Sequence, residues 1–594
     1  MTGDAFVITL DDASAQRVAL HYPGMRGVDL PLAGGKSTLH AQMPNYRVSS
    51  FSDGNRFISV VGTSHVPESS LRAVLRAGSV ESVSFEGLPE PCWAIVSIAD
   101  ELRVQGNLSG VNRIYWAPLG DGRYLIANRA RVLAQLCDRS VDPVSLSLRL
   151  LQPLPYPLDE RSCWDSVFAA SPHEFLHVSR GRKIKHRRWW WPPEATRTQS
   201  RAAIDVRAAT LATMQAHLTD RDCVSFDISG GLDSSTLLAV AKHLDPQTAM
   251  HGVTGDSRDS FNTDLDWAKE LVSHLGLDSH VIVPPEEMTN EYDDLHAAGQ
   301  YQLDEPSVVV ATHTRLAAMF DRMSATGSEL HFTGFGGDQL FCPSAVLCYE
   351  LARTHPTKAL RLMRHYAGRY RWNRRAMIAQ MTHSGEYGDW LADNLLTIDD
   401  IDSNAPMMSW GIPNQLPRWM TKDAGDAVVD RVQGMRTTAP LAETPGRHYE
   451  LDMIYDAGRM TRAISDMSFM GRGLHIVAPL LDRSIIDAAF TVRVDERLNP
   501  YAYKPLLIES FRDILPNRMQ QRRTKGGQES DKAQGLFVNA GELADLWSDS
   551  RLAAMGIIDG SELERLLRYT PDAPELEGNE FLTTLACELW ARSV

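Results

Sequence analysis

Paired cysteines, long apolar runs and an excess of basic charge are all missing from this 594-residue chain. Its seven cysteines stand at 92, 137, 163, 223, 342, 348 and 587, an odd number with no CxxC spacing. That pattern excludes a disulfide framework and a cysteine-rich zinc site, and it fits a reducing compartment. No apolar stretch reaches the roughly 18 residues of a membrane span. The opening MTGDAFVITLDDASAQ has no basic n-region and no apolar h-region. Secretion and membrane insertion are therefore not expected, and the chain is read as cytoplasmic. The formal net charge is -15 and the pI about 5.7, which argues against nucleic acid or an anionic membrane as the main partner. A nucleotide held in a local pocket is not excluded by that charge.

What is present changes character along the chain. Residues 1 to about 185 are rich in short apolar alternations, as in AIVSIADELRVQGN and RYLIANRARVLAQL, broken by Gly, Asn and Asp. This predicts β structure. The stretch GRKIKHRRWWWPPEATRTQS, 181–200, mixes basic, aromatic and Pro-Pro content and marks a boundary. Its Trp189–Trp191 run is read as pinning a linker to a domain face. From about 201, strand candidates (CVSFDI, AMHGVTG, HVIVPP, ELHFTG) alternate with helical patterns. One helical face carries Leu237, Val240, Ala241 and Leu244, and another carries Leu265, Ala268, Leu271, Val272 and Leu275 with Gly276 as its stop. Such alternation predicts a parallel sheet covered on both faces, with ligands beyond the carboxyl ends of its strands.

The most specific segment is SFDISGGLDSSTLLAVA, 225–241. A strand ends at Asp227-Ile228, Ser229-Gly230-Gly231 turn the chain, and Ser234 and Ser235 open a helix. Glycine lets the backbone approach a ligand closely, and a helix N-terminus offers unpaired N–H donors with a partial positive charge. Together these form a phosphate site. Asp233 among those phosphates makes sense if a divalent cation bridges them. By contrast GGKST, 34–38, is a decoy: Leu30 stands where a Walker loop requires glycine.

SGGLDSS resembles the PP-loop of ATP pyrophosphatases, and its surroundings resemble the asparagine-synthetase superfamily. TGFGGDQLF (333–341) is similar to that family's second loop, and AGRMTRAISDMSFMGRGLHIVAPLLDRSIIDAAF (457–490) to its helical stretch. YKPLLIESFRDILPNRMQQRRTKGG (503–527) resembles its closing segment. The resemblance implies an α/β fold. Residues 1–185 would be an N-terminal Ntn-amidotransferase-like, β-rich domain of αββα type, and 186–200 a linker. Residues 201–594 would be a doubly wound parallel-sheet PP-loop synthetase with a helical extension. It implies ATP and Mg²⁺, cleavage of ATP between its α and β phosphates, and an acyl-adenylate. Asp233 and Asp338 match the two metal-binding acids. Ser229, Gly230, Gly231, Ser234 and Ser235 match the pyrophosphate cradle. Val253 and Gly334 match nucleotide contacts, and Lys525 the lysine that stabilises charge on the reacting centre.

Departures from the family narrow the substrate. Glutamine-dependent members place Cys directly after the initiator Met; here Thr2 stands there and the first cysteine is Cys92. Glutamine hydrolysis is therefore not expected, although the segment around Cys92 still resembles the amidotransferase shell. Phe335 replaces the Glu of asparagine synthetases and the Tyr of β-lactam synthetases. Asp466 stands where β-lactam synthetases hold a glutamate, and is read as a candidate base or as a structural acid of its helix. An amine internal to the substrate is then required, and the chain looks most like lasso peptide macrolactam cyclases. Their partners are a linear core peptide, a leader-binding protein and a leader peptidase. The alternatives are a β-lactam-synthetase-like or other small-molecule amide synthetase, a glutamine-independent asparagine synthetase, or a silent PP-loop scaffold. Lys525→Ala should lower product formation on the order of 10²–10³-fold, the usual effect of removing one charge-stabilising donor. ATP binding, measured by calorimetry, should survive.

Overall fold

Alternating apolar residues in the first third of the chain build two six-stranded antiparallel sheets. The computed structural model describes residues 4–594 apart from 33–36, 91, 121, 152, 180–182, 260, 278, 383–384, 398–405, 407, 524–525 and 527–528. One sheet runs Phe168–Ala169, Tyr115–Gly120, Arg123–Ala127, Ala5–Thr9, Ser37–Gln42, Arg26–Leu30. The other runs Ile184–Arg188, Glu174–Val178, Glu101–Gln105, Trp93–Ile98, Arg56–Gly62, Arg47–Asp53. Phe6, Ile8 and Ile126 of the first pack against Phe57, Ile95 and Val104 of the second. Helix Glu68–Val74 covers the outer face of the second sheet through Leu71. Helices Asp12–His21 and Ala130–Leu136 cover the first through Val18 and Leu133. The layering is helix, sheet, sheet, helix, as expected of an αββα unit. Of GGKST, residues 33–36 lie outside the described residues, and Ser37 and Thr38 open a strand rather than a helix.

The linker is pinned as its aromatic content suggests. Trp190 is buried and its indole N–H donates to Asp487 Oδ1 at 2.8 Å. Trp189 donates to the Pro172 carbonyl at 3.2 Å, while Trp191 stays exposed.

Beyond it lie α1 (Gln199–Leu218), β1 (Cys223–Asp227), α2 (Leu232–Leu244), β2 (Ala249–Gly255), α3 (Asp264–Leu275) and β3 (Ser279–Val283). These are followed by β4 (Leu330–Phe332), α4 (Gly337–Phe341), α5 (Pro445–Phe469), β5 (His475–Val477) and α6 (Pro505–Ser510). The five strands form one parallel sheet in the order β3-β2-β1-β4-β5. Val224 and Phe226 of β1 pack with Ala202 of α1, Leu237 of α2 and Ile485 on one face. Val253, Val283 and Ile476 pack with Phe320 and Met467 on the other. The sheet is thus doubly covered, which is why its strands read as continuous apolar runs. Helix α3 ends as its sequence predicts, with Gly276 in the left-handed conformation at φ 60°. Helix α2 departs from the one-sided pattern: Leu232 and every residue from Ser234 to Ala241 is buried. The sheet, α1 and the neighbouring loops enclose it. Among the described residues no helix is long and apolar enough to cross a membrane.

The two halves meet along α5. Arg462 of α5 donates to the Gly110 carbonyl at 3.0 Å, and Arg113 pairs with Asp159 at 2.6 Å while Arg459 reaches the same acid. Glu90 accepts N–H bonds from Leu108 and Arg483 at 2.8 and 2.7 Å, tying a loop of the first half to the second. Burial, reinforced by Asp482, pushes its pKa up to about 8. At the crossing point Gly458 is required: a Cβ there would sit 1.9 Å from the Ser109 carbonyl oxygen. Gly458→Ala should therefore destabilise the protein by about 1–3 kcal/mol, the usual cost of overpacking, seen as a lower thermal midpoint. An unchanged midpoint would show that the seam tolerates a wider separation.

Candidate active site at the carboxyl edge of the parallel sheet

The strand order reverses between β1 and β4, since the chain runs outward through β2 and β3 and returns to the other side of β1 at β4. In open α/β sheets the crevice beyond the carboxyl ends at such a point is where ligands bind. Two glycine-bearing loops occupy it here, Ser229–Gly231 after β1 and Gly334–Gly337 after β4.

Each loop has the geometry its glycines permit. Gly230 has φ 67°, and its carbonyl accepts from Arg522. Gly231 is the N-cap of α2, with no side-chain cap, so the first N–H groups of that helix are not taken by a capping side chain. Ser229 and Ser234 hydroxyls lie 3.2 Å apart across the turn. Ser235 is fully buried and its hydroxyl has no hydrogen-bond partner among the described residues. The second loop turns at Gly336, φ 87°. Gly334 and Gly337 press on the first loop: a Cβ on Gly334 would lie 2.7 Å from the Ser234 backbone nitrogen, and one on Gly337 2.2 Å from Asp233 Cγ. Asp233 and Asp338 are thereby brought together in the first turns of α2 and α4.

A cation joins them. Lys504, just before α6, is 1% exposed, and its Nζ bonds Asp233 Oδ2 and lies 2.7 Å from Asp338 Oδ1. Burial would depress its pKa, but the two carboxylates outweigh that and raise it above the usual lysine range. Lys504 was not singled out from sequence, although it stands in the quoted YKPLL. A lysine inside an apolar run that flanks a helix is the available signal. Arg522 was likewise missed. It is buried, bonds both the Gly230 carbonyl and Asp264, and lies 5.1 Å from the Trp267 ring centroid. It clamps the closing segment to the first loop.

The other expected residues fall as follows. Val253 is buried near the end of β2, and its carbonyl accepts the Ile228 N–H at 2.9 Å. Phe335 is half-buried against the core shared with α5. Asp466 is engaged in an ion pair: both its oxygens accept from Arg129 of the N-terminal half, at 2.5 and 2.6 Å. Asp304 shares that guanidinium at 3.3 Å. Lys525 and Thr2 lie outside the described residues.

The donor set fits a magnesium triphosphate. Mg²⁺ is usually held by one or two carboxylates plus phosphate oxygens and water, and two carboxylates already converge here on one positive charge. The adjoining helix N-terminus and glycine turn suit the phosphates. Open volumes also lie outside this crevice, one of them along the seam. A hollow of about 620 Å³ is lined by Arg129, Gln302, Asp304, Asp466, Phe469 and Met470 among others. A second of about 540 Å³ shares Phe469 and Met470 with it.

A crevice at the switch point of a parallel sheet, with a phosphate-type turn and paired acids, defines the class: an α/β nucleotide-site protein joined to an αββα shell. The family model Asparagine synthase matches residues 205–592, and the chain belongs to that family. A curated relative, asparagine synthetase [glutamine-hydrolyzing] 1 of Bacillus subtilis (strain 168), is 20% identical over 433 residues. That match covers 70% of this chain and 64% of the relative's length. Among solved structures, the NH3-dependent NAD synthetase of Campylobacter jejuni gives 17% identity and a TM-score of 0.18, covering 23% of this chain and 59% of that one. Glutamine PRPP amidotransferase of B. subtilis gives 9% identity and a TM-score of 0.21, covering 47% and 90%.

Gly337→Ala should push the Asp233 carboxylate aside while leaving the fold intact. A displacement near 1 Å commonly costs about 10²-fold in rate. The check is ATP–pyrophosphate exchange beside a circular dichroism spectrum, and undiminished exchange would separate Asp233 from the chemistry.

Proposed function

We propose that this protein is an ATP-dependent carbon–nitrogen ligase that adenylates a carboxylate and joins it to an amine, releasing AMP and pyrophosphate. The convergence of Asp233 and Asp338 at the helix N-terminus of the switch-point crevice carries this reading. Bound Mg²⁺ would neutralise the triphosphate and the departing pyrophosphate. Asp233 and Asp338 would hold it, Ser229, Gly230, Gly231, Ser234 and Ser235 would cradle the phosphates, and Val253 and Gly334 would line the nucleoside. Lys525 would stabilise charge at the α-phosphorus and the acyl centre. Lys504 and Arg522 keep the two loops in register around them.

The finer reading is macrolactam closure in a lasso peptide precursor: an Asp or Glu side chain is adenylated, and the core peptide's N-terminal amine displaces AMP. Two observations support an amine internal to the substrate. Cys92, Cys137 and Cys163 of the N-terminal half have thiol pKa values pushed up by burial to about 12, 11 and 11. None of these is an activated nucleophile of the kind glutamine hydrolysis uses. The seam also holds an open hollow of about 620 Å³ beside Asp466, within the ordinary range of ligand pockets, which would take the reacting segment of a peptide. A leader-binding protein and a leader peptidase would then act upstream, in the cytoplasm.

Purified protein incubated with ATP, Mg²⁺ and a leaderless precursor carrying an internal acid should yield AMP, pyrophosphate and a product lighter than the peptide by one water. Formation of ADP and orthophosphate would overturn the ligase reading. AMP release with free aspartate and ammonia, and none with peptides, would replace the macrolactam reading with a small-molecule one.

A further inference from the structure

Lys504 has three properties that rarely coincide. Its ammonium is buried, it bonds two carboxylates that come from the first turns of α2 and α4, and its backbone is left-handed at φ 46°, ψ 51°. A non-glycine residue seldom adopts that conformation, and one preceding proline is normally extended. Such a residue persists only where the surroundings over-determine it, and an outlier of this kind points to a role. The strain aims the side chain at the point where Asp233 and Asp338 meet. An unpaired pair of acids there would repel, and Asp233 is largely buried, its side chain 16% exposed against 65% for Asp338.

We propose that Lys504 is the resident cation of this site. In the nucleotide-free protein it holds the two acids together, and it blocks entry of a divalent cation that arrives without a triphosphate. An ammonium and a metal ion sharing two carboxylates repel each other at contact distance. The triphosphate relieves this by supplying oxygens to both cations. Metal binding is therefore nucleotide-dependent, and Lys504 becomes a positioning residue for the phosphates once Asp338 has turned to the metal. This rests on the reading of Asp233 and Asp338 as metal acids, but not on which phosphate bond is cleaved.

The test is Mn²⁺ binding without nucleotide, followed by electron paramagnetic resonance and by the Mn²⁺ dependence of the thermal midpoint. Wild type should bind Mn²⁺ alone no better than Asp338→Asn. Lys504→Gln should bind it more tightly by on the order of tenfold or more, and its midpoint should rise with Mn²⁺ while that of wild type does not. Adding Asp338→Asn to Lys504→Gln should abolish the gain. Equal Mn²⁺ affinity in wild type and Lys504→Gln would overturn the proposal. A gain that survives Asp338→Asn would overturn the metal reading of the acids instead. If Lys504→Gln does not fold, the wild-type arm decides: Mn²⁺ binding without nucleotide that is lost in Asp338→Asn refutes the placeholder role. ADP-forming chemistry would leave these outcomes untouched, so failure of the ligase reading is distinguishable.

Discussion

The contact between two loops at the switch point governs the rest of this structure. Gly337 packs directly on the Asp233 carboxylate, and Gly334 on the backbone of Ser234. Only residues without a side chain allow β1 and β4 to send their loops that close together. The close approach creates an electrostatic problem, since it places two acids at one point. The buried ammonium of Lys504 resolves it. Breaking a buried pair such as Lys504–Asp233 by removing one partner typically costs about 3–5 kcal/mol, whereas the contact with Asp338, 65% exposed, is screened by solvent and contributes less. Arg522 ties the closing segment to the first loop through the Gly230 carbonyl and Asp264.

The seam between the halves is built differently. Arginine–carboxylate pairs cross it, Arg129 with Asp466 and Asp304, and Arg459 with Asp159. Planar guanidinium groups suit such bidentate, partly buried pairing. Specific charge pairing fixes the register of two surfaces more sharply than apolar contact does. Helix α5 supplies several of these partners and also carries Gly458, where the halves come closest. Asp466 therefore works as part of the joint. Its partner Arg129 lies 337 residues earlier in the chain.

Lys504 fills the space between the acids, whereas the hollow of about 620 Å³ along the seam is bordered by side chains from both halves.

Local chemistry determined much of this protein. The glycine turn after CVSFD, the Gly276 stop of α3, the strand–helix alternation and the β-rich character of the first third all follow from backbone sterics and apolar periodicity, which act over a few residues; the layering of the two antiparallel sheets was implied by the family resemblance. Asp233 was legible because it opens a helix directly after a glycine turn, and Asp338 through the family resemblance of TGFGGDQLF. Lys504, Arg522 and Arg129 were not, because a charged side chain acquires its role from partners 271, 292 and 337 residues away. Nothing in the spacing of a single lysine or arginine encodes such a partner. Only the folded chain, by bringing β1 beside β4 and α5 against the first half, decided which charges meet and which of them are shielded from water.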